Sequence, residues 1–227
     1  KLLKEDDFIL FIDVRRARFS GIRPLPLRIQ TINGIEIVEQ KNKTVVLENT
    51  SERIKGNPAL HRDRVLGINV SEGAIGFEKA FALAQDAGIE VLEIALPWDE
   101  YETKPWKYTE NWLPQINYFY PRYGTRIALS LNPIDTNNLR LPKDLKEKAL
   151  NDPLVIERYR SFVGFVASKL PDAKVFYVAI GNEVDVTLGT SEQRWREYTE
   201  FYRAVAPFVE EKFPQAVIGS KVTFESA

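Results

Sequence analysis

At 227 residues, 44% hydrophobic and 28% charged, the chain can bury a full core in one domain, and its net charge of −1 gives no broad pull toward nucleic acid or anionic lipid. It has no cysteine and one histidine, His61, which excludes disulfides, zinc–thiolate sites and cysteine nucleophiles and nearly excludes a histidine metal cluster or a Ser-His triad. Proton transfer at neutral pH falls to carboxylates, lysine and tyrosine; no apolar run is long enough for a bilayer, and no metal or cofactor is expected.

The chain opens on Lys1 rather than Met, so a preceding segment is expected. Residues 1–60 read as a β-rich N-terminal segment or appendage. Phe8 to Val14 is a short apolar run, and Leu27 to Glu39 alternates around Asn33-Gly34. Asn-Gly suits a type I′ turn, so this stretch predicts a hairpin, with Thr44 to Leu47 as a further strand.

From residue 61 to 227 strands alternate with helices. Apolar runs at Val65–Ser71, Ile89–Pro97, Arg126–Asn132, Val175–Gly181 and Val217–Phe224 predict five strands. Between them, helical spacing predicts helices over Phe77–Ala87 and Asn111–Tyr123, stopped by Gly88 and Gly124. A long loop through Pro133 and Pro142 comes next. Helices then follow over Pro153–Leu170, and from a Ser191 cap to about Phe213.

This alternation predicts a parallel sheet with helical crossovers. One set of alternate strand residues is large and apolar (Leu92, Ile94, Leu96; Ile127, Leu129, Leu131; Phe176, Val178, Ile180) and suits the face beneath the helices. The other set is small or polar (Glu93, Ala95; Ala128, Ser130, Asn132; Ala179, Gly181, Glu183). A doubly wound sheet favours apolar residues on both faces, whereas a barrel interior accepts small and polar ones. The expected fold is therefore α/β, a (β/α)8 TIM barrel of which about the first five β/α units are present. An open five-stranded barrel exposes two apolar edges, so further strands are expected beyond the chain.

Two charges point inward, Glu93 and Lys221. Because a lone buried charge costs several kcal/mol, roughly, they should pair with each other or with site groups, and an interior ion pair without catalytic duty is the plainer reading.

Barrel active sites lie at the C-terminal ends of the strands. Those ends carry Ser71-Glu72, Trp98-Asp99-Glu100-Tyr101, Asn132, Asn182-Glu183 and Glu225. Carboxylates, amides and aromatics without histidine match glycoside cleavage, which needs one carboxyl to protonate the leaving oxygen and a second to attack the sugar or activate water. Trp98, Tyr101, Trp106, Tyr108 and Trp112 crowd the loop after the second strand, either as a platform for apolar sugar faces or as ordinary packing. Trp98, Asp99, Tyr101 and Asn132 are the candidate substrate-binding residues beside Asn182, with Glu93 and Lys221 in support.

Gly181-Asn182-Glu183 at the end of barrel strand four resembles the Asn-Glu signature of clan A glycoside hydrolases, and the phrase Ala179 to Asp185 is similar to the endo-galactanase-like branch more than to the cellulase branch. The resemblance covers roughly Arg64 to Ala227. It implies a retaining glycosidase acting on a β-linked poly- or oligosaccharide, with Glu183 as general acid/base and Asn182 near the sugar 2-hydroxyl. The acid/base role requires a carboxyl that is still protonated when the sugar arrives. The clan's nucleophile stands on strand seven, which these residues do not reach, so this segment alone is expected to be inactive. Glu225, at the end of strand five, is at most a lining group. Extracellular or periplasmic location goes with this reading. The alternatives are a non-catalytic carbohydrate-binding barrel, or a barrel lyase or aldolase using Lys221 as an amine nucleophile.

Overall fold

The computed structural model describes residues 9–12, 35–39, 45–49, 65–70 and 76–223. Its centre is a parallel sheet. β4 (Val65–Ile68), β5 (Val91–Pro97), β8 (Arg126–Asp135), β10 (Val175–Asn182) and β11 (Val217–Gly219) lie side by side in chain order, and β1 (Ile9–Ile12) adds a parallel strand on the outer edge of β4. The sheet thus begins in the segment read as an appendage. The alternation of parallel strands and outer helices is that of a partial TIM barrel. β2 (Ile35–Glu39) and β3 (Val45–Asn49) form a separate antiparallel pair. The residue 44–47 strand is therefore the hairpin partner of the arm after Asn33-Gly34; that turn and the arm before it lie outside the described residues.

The helices end where backbone chemistry requires. α1 (Phe77–Asp86) and α3 (Leu113–Arg122) run into Gly88 and Gly124, both at positive φ. α4 (Pro153–Lys169) opens with proline in its first turn, and the Asp152 carboxylate accepts from Leu154 N at 2.8 Å. α6 (Glu192–Lys212) is capped by Ser191 Oγ, which accepts from Arg194 N, with Glu192 in the first turn and Lys212 in the last. Among the described residues no helix is long and apolar enough to cross a membrane.

The core lies between the sheet and these helices. Leu92, Leu96, Ile127, Leu129, Leu131, Val178 and Ile180 are buried from the sheet side, against Phe81, Ile116, Phe162, Val166, Phe201 and Val205 from the helices. Phe176 departs from the alternation. Val175 pairs with Ile127 and Tyr177 with Ala128, so the strand bulges at Phe176, whose half-buried ring lies under the Arg126 guanidinium. Beyond the bulge the regular alternation resumes, with Tyr177 and Ala179 both on the inward face.

Two connections differ from expectation. The segment after Asn132 continues as strand to Asp135, turns at Thr136-Asn137 and pairs back through β9 (Asn138–Leu139), so the predicted long loop starts only beyond this turn. Pro133 is tolerated because β8 is irregular there: Ile180 pairs with Leu131 and Asn182 with Asp135, with the intervening residues out of register. The loop after β5 is also ordered, as α2 (Trp98–Tyr101) and a small hairpin of β6 (Glu102–Lys104) and β7 (Lys107–Tyr108).

Candidate active site

β8 and β10 end side by side, and their last residues are matched by register. Asp135 pairs with Asn182 across the strands, and Asn182 Nδ2 donates to Asp135 Oδ1 at 2.7 Å. One residue further, Thr136 Oγ1 donates to Glu183 Oε2 at 2.8 Å. The backbone reinforces both: Thr136 N donates to the Asn182 carbonyl at 2.9 Å, and Thr187 Oγ1 to the Thr136 carbonyl at 2.6 Å.

Glu183 has φ 47° and Thr136 φ 57°, both left-handed. Such conformations in non-glycine residues cost on the order of 1–3 kcal/mol and collect at functional sites. At Glu183 the turn ends β10 and starts the short helix α5 (Val184–Leu188). The carboxylate thereby leaves the strand at its C-terminal end. Asp185, two residues on, is buried and holds Thr223, accepting from its N at 2.8 Å and its Oγ1 at 2.6 Å.

The two inward charges meet. Lys221 Nζ donates to Glu93 Oε1 in a largely buried ion pair. Glu93, Ala128 and Tyr177 share one row across the sheet, and Ser130, Ala179 and Lys221 lie around them on the inward face. Burial, with neighbouring Tyr202 and Glu93, drives the Tyr177 hydroxyl far above its usual range, so it stays a neutral donor. Lys221 also ties this layer to the strand end: its N donates to the Gly181 carbonyl at 3.3 Å, and its carbonyl accepts from Val184 N at 3.1 Å. With its Nζ engaged by Glu93, Lys221 is committed to a structural contact, which counts against an aldolase-type role.

Asn132 is fully buried on the same inward face as Ser130. Its Oδ1 accepts from Ser130 Oγ at 2.8 Å, while Nδ2 has no acceptor among the described residues. Such an amide is suited to an acceptor brought by a ligand.

The aromatic residues after β5 divide between buried and exposed positions. Trp98 is 0% exposed, packed against Tyr159 and Phe162, with Nε1 donating to Glu102 Oε2 at 2.8 Å. Tyr101 is also buried against Phe162, and that burial, with Glu100 alongside, pushes its hydroxyl up to about 12. Tyr108 stacks on Phe165. Trp98 and Tyr101 thus pack on buried residues of α4, whereas Trp106 and Trp112 remain exposed. Asp99 pairs with Arg140 at 3.0 Å beside Glu100. Ser71, Glu72, His61 and Glu225 lie outside the described residues.

Asp135, Thr136 and Tyr177 are site neighbours that the sequence reading passed over. Asp135 and Thr136 were hidden by Pro133, which made their segment look like loop. Tyr177 was legible from simple alternation with Ala179.

No protein-family model matches the chain, and no curated protein matches it. Solved structures do. An exo-β-1,4-mannosidase from an Opitutaceae bacterium aligns over 70% of this chain and 32% of its own, at 20% identity and TM-score 0.54. A GH5_18 protein from Streptomyces cattleya in complex with GlcNAc aligns over 68% and 44%, at 14% identity and TM-score 0.53. A β-glycosidase aligns over 63% and 43%, at 11% identity and TM-score 0.51. The chain thus spans less than half of each of these proteins, and at these identities the likeness establishes the barrel fold.

Proposed function

We propose that the chain carries the acid/base half of a retaining glycoside hydrolase that cleaves a β-linked poly- or oligosaccharide. The observation that carries this reading is the Asn182-Glu183 pair at the C-terminal end of β10, each side chain held from β8. The fold likeness to a β-mannosidase and a β-glycosidase supports it.

Glu183 in its acid form gives its proton to the glycosidic oxygen as the bond breaks, and as carboxylate it then takes a proton from the water that releases the sugar. Asn182 keeps one amide hydrogen for a ring hydroxyl after giving the other to Asp135. Asn132 offers its amide hydrogens to a second hydroxyl. The nucleophile is a carboxylate on a later strand, roughly 5–5.5 Å from Glu183 as a retaining mechanism requires.

The test is Glu183→Gln in the full-length protein, assayed on unactivated β-glycans. Turnover should fall by about 10²–10⁴-fold. Unchanged turnover overturns the assignment.

A further inference from the structure

We propose that Asp135 and Thr136 are positioning residues for the Asn182-Glu183 pair, acting as a two-point clamp from the neighbouring strand end. The inference rests on the acid/base reading of Glu183. Its ground is the repetition of one geometry at successive residues. Asp135 takes the Asn182 amide at 2.7 Å, and Thr136 gives its hydroxyl to the Glu183 carboxylate at 2.8 Å.

Parallel strands in ordinary register bring such residues side by side, but do not by themselves aim adjacent side chains at each other in order. Here the backbone is bent to achieve it. Both Thr136 and Glu183 adopt left-handed φ, and for a β-branched threonine that conformation is a genuine outlier. The outlier is held on both sides, by Asn182 O accepting from Thr136 N and by Thr187 Oγ1 donating to Thr136 O. A surface turn with no further duty would be served better by glycine or asparagine at this position. The threonine hydroxyl is what those residues lack.

The clamp divides the work. Thr136 fixes the carboxyl rotamer that must point at the leaving oxygen, a term sensitive to small misplacements. Asp135 orients an amide that touches the sugar whatever the leaving group is.

The test uses the full-length protein with Thr136→Val, Thr136→Ser and Asp135→Ala. Valine keeps the β-branched shape and both backbone hydrogen bonds while removing only the hydroxyl; serine restores it. The probes are 4-methoxyphenyl and 2,4-dinitrophenyl β-mannosides and β-glucosides, whose leaving groups do and do not need protonation. Thr136→Val should lower kcat/KM on the methoxyphenyl substrates by about 10–100-fold, change the dinitrophenyl values by less than about two-fold, and be rescued by Thr136→Ser. Asp135→Ala should lower both classes alike. Equal losses with both leaving groups for Thr136→Val, or no rescue by serine, refute the clamp. A crystal structure of Thr136→Val provides a readout without substrate: Glu183 should leave its wild-type rotamer while Asn182 stays, and an unmoved Glu183 refutes positioning. If Glu183→Gln is fully active while Glu183 moves in Thr136→Val, the clamp stands and the glycosidase reading fails.

Discussion

Gly181→Ala asks why a glycine stands before Asn182 and Glu183. Gly181 has φ +93°, and a Cβ added there comes within 2.6 Å of Val184 Cγ1. Ile134 O at 3.7 Å and Tyr198 Oη at 3.8 Å are ordinary contacts, so the penalty has two parts, one backbone and one steric. A left-handed L-residue costs roughly 1–2 kcal/mol. The clash is with a residue only 1% exposed, which has little room to yield, and overpacking of this kind costs about 1–3 kcal/mol. The sum is about 2–5 kcal/mol. In urea, with a slope on the order of 2 kcal/mol per M, the unfolding midpoint should fall by about 1–2.5 M. Val184→Ala separates the parts. It removes the clashing methyl groups but leaves the φ penalty, so the double variant should be more stable than additivity predicts by about 1–3 kcal/mol. Tryptophan fluorescence and circular dichroism in urea on the four proteins close the cycle. A Gly181→Ala loss below about 0.5 kcal/mol, or strict additivity with Val184→Ala, refutes the reasoning.

Two further outcomes follow from the buried polar groups. Arg158 and Glu102 form an ion pair at 2.9 Å with both side chains essentially inaccessible, and Asp144 also accepts from the guanidinium. Arg158→Met should cost about 3–5 kcal/mol by taking the counter-ion from the buried Glu102, whereas adding Glu102→Leu should recover only part of it, because the Trp98 indole N–H then loses its acceptor; urea midpoints decide, and a double variant no better than the single one sinks the explanation. Burial pushes the Tyr120 hydroxyl up to about 12 from its usual 10. A raised folded value means the folded state holds the proton longer, so this stability is full below pH 10 and is lost as pH rises from 10 through about 12. Tyr120→Phe should therefore lose less stability than wild type between pH 10 and 12, and parallel urea midpoints across that window for the two proteins contradict it.

Much of the barrel half was legible locally. Helix limits at Gly88, Gly124, Pro153 and Ser191 follow from terminal backbone groups that need particular residues, and such signals are read within one turn of the chain. The large–small alternation of the strands named the buried face because side-chain direction has period two in any strand. Phe176 escaped this rule, since a bulge adds a residue that alternation does not count.

The Asn182-Glu183 stretch itself was readable from an apolar run that ends at Gly181. Its surroundings were not. Where Trp98 points depends on how the loop after β5 folds, which composition does not encode; its buried hydrogen bond to Glu102 and its stack on Phe162 seat it against α4. That Lys221 reaches Glu93, 128 residues away, follows from strand register across three intervening ladders. Asp135 and Thr136 meet Asn182 and Glu183 only because β8 runs on past Pro133 through an irregularity. The sequence by itself determined which strand carries the carboxylate, through short-range periodicity and turn chemistry. Only the tertiary structure decided what holds that carboxylate, because contacts between residues 47 positions apart are set by sheet register, which local patterns do not encode.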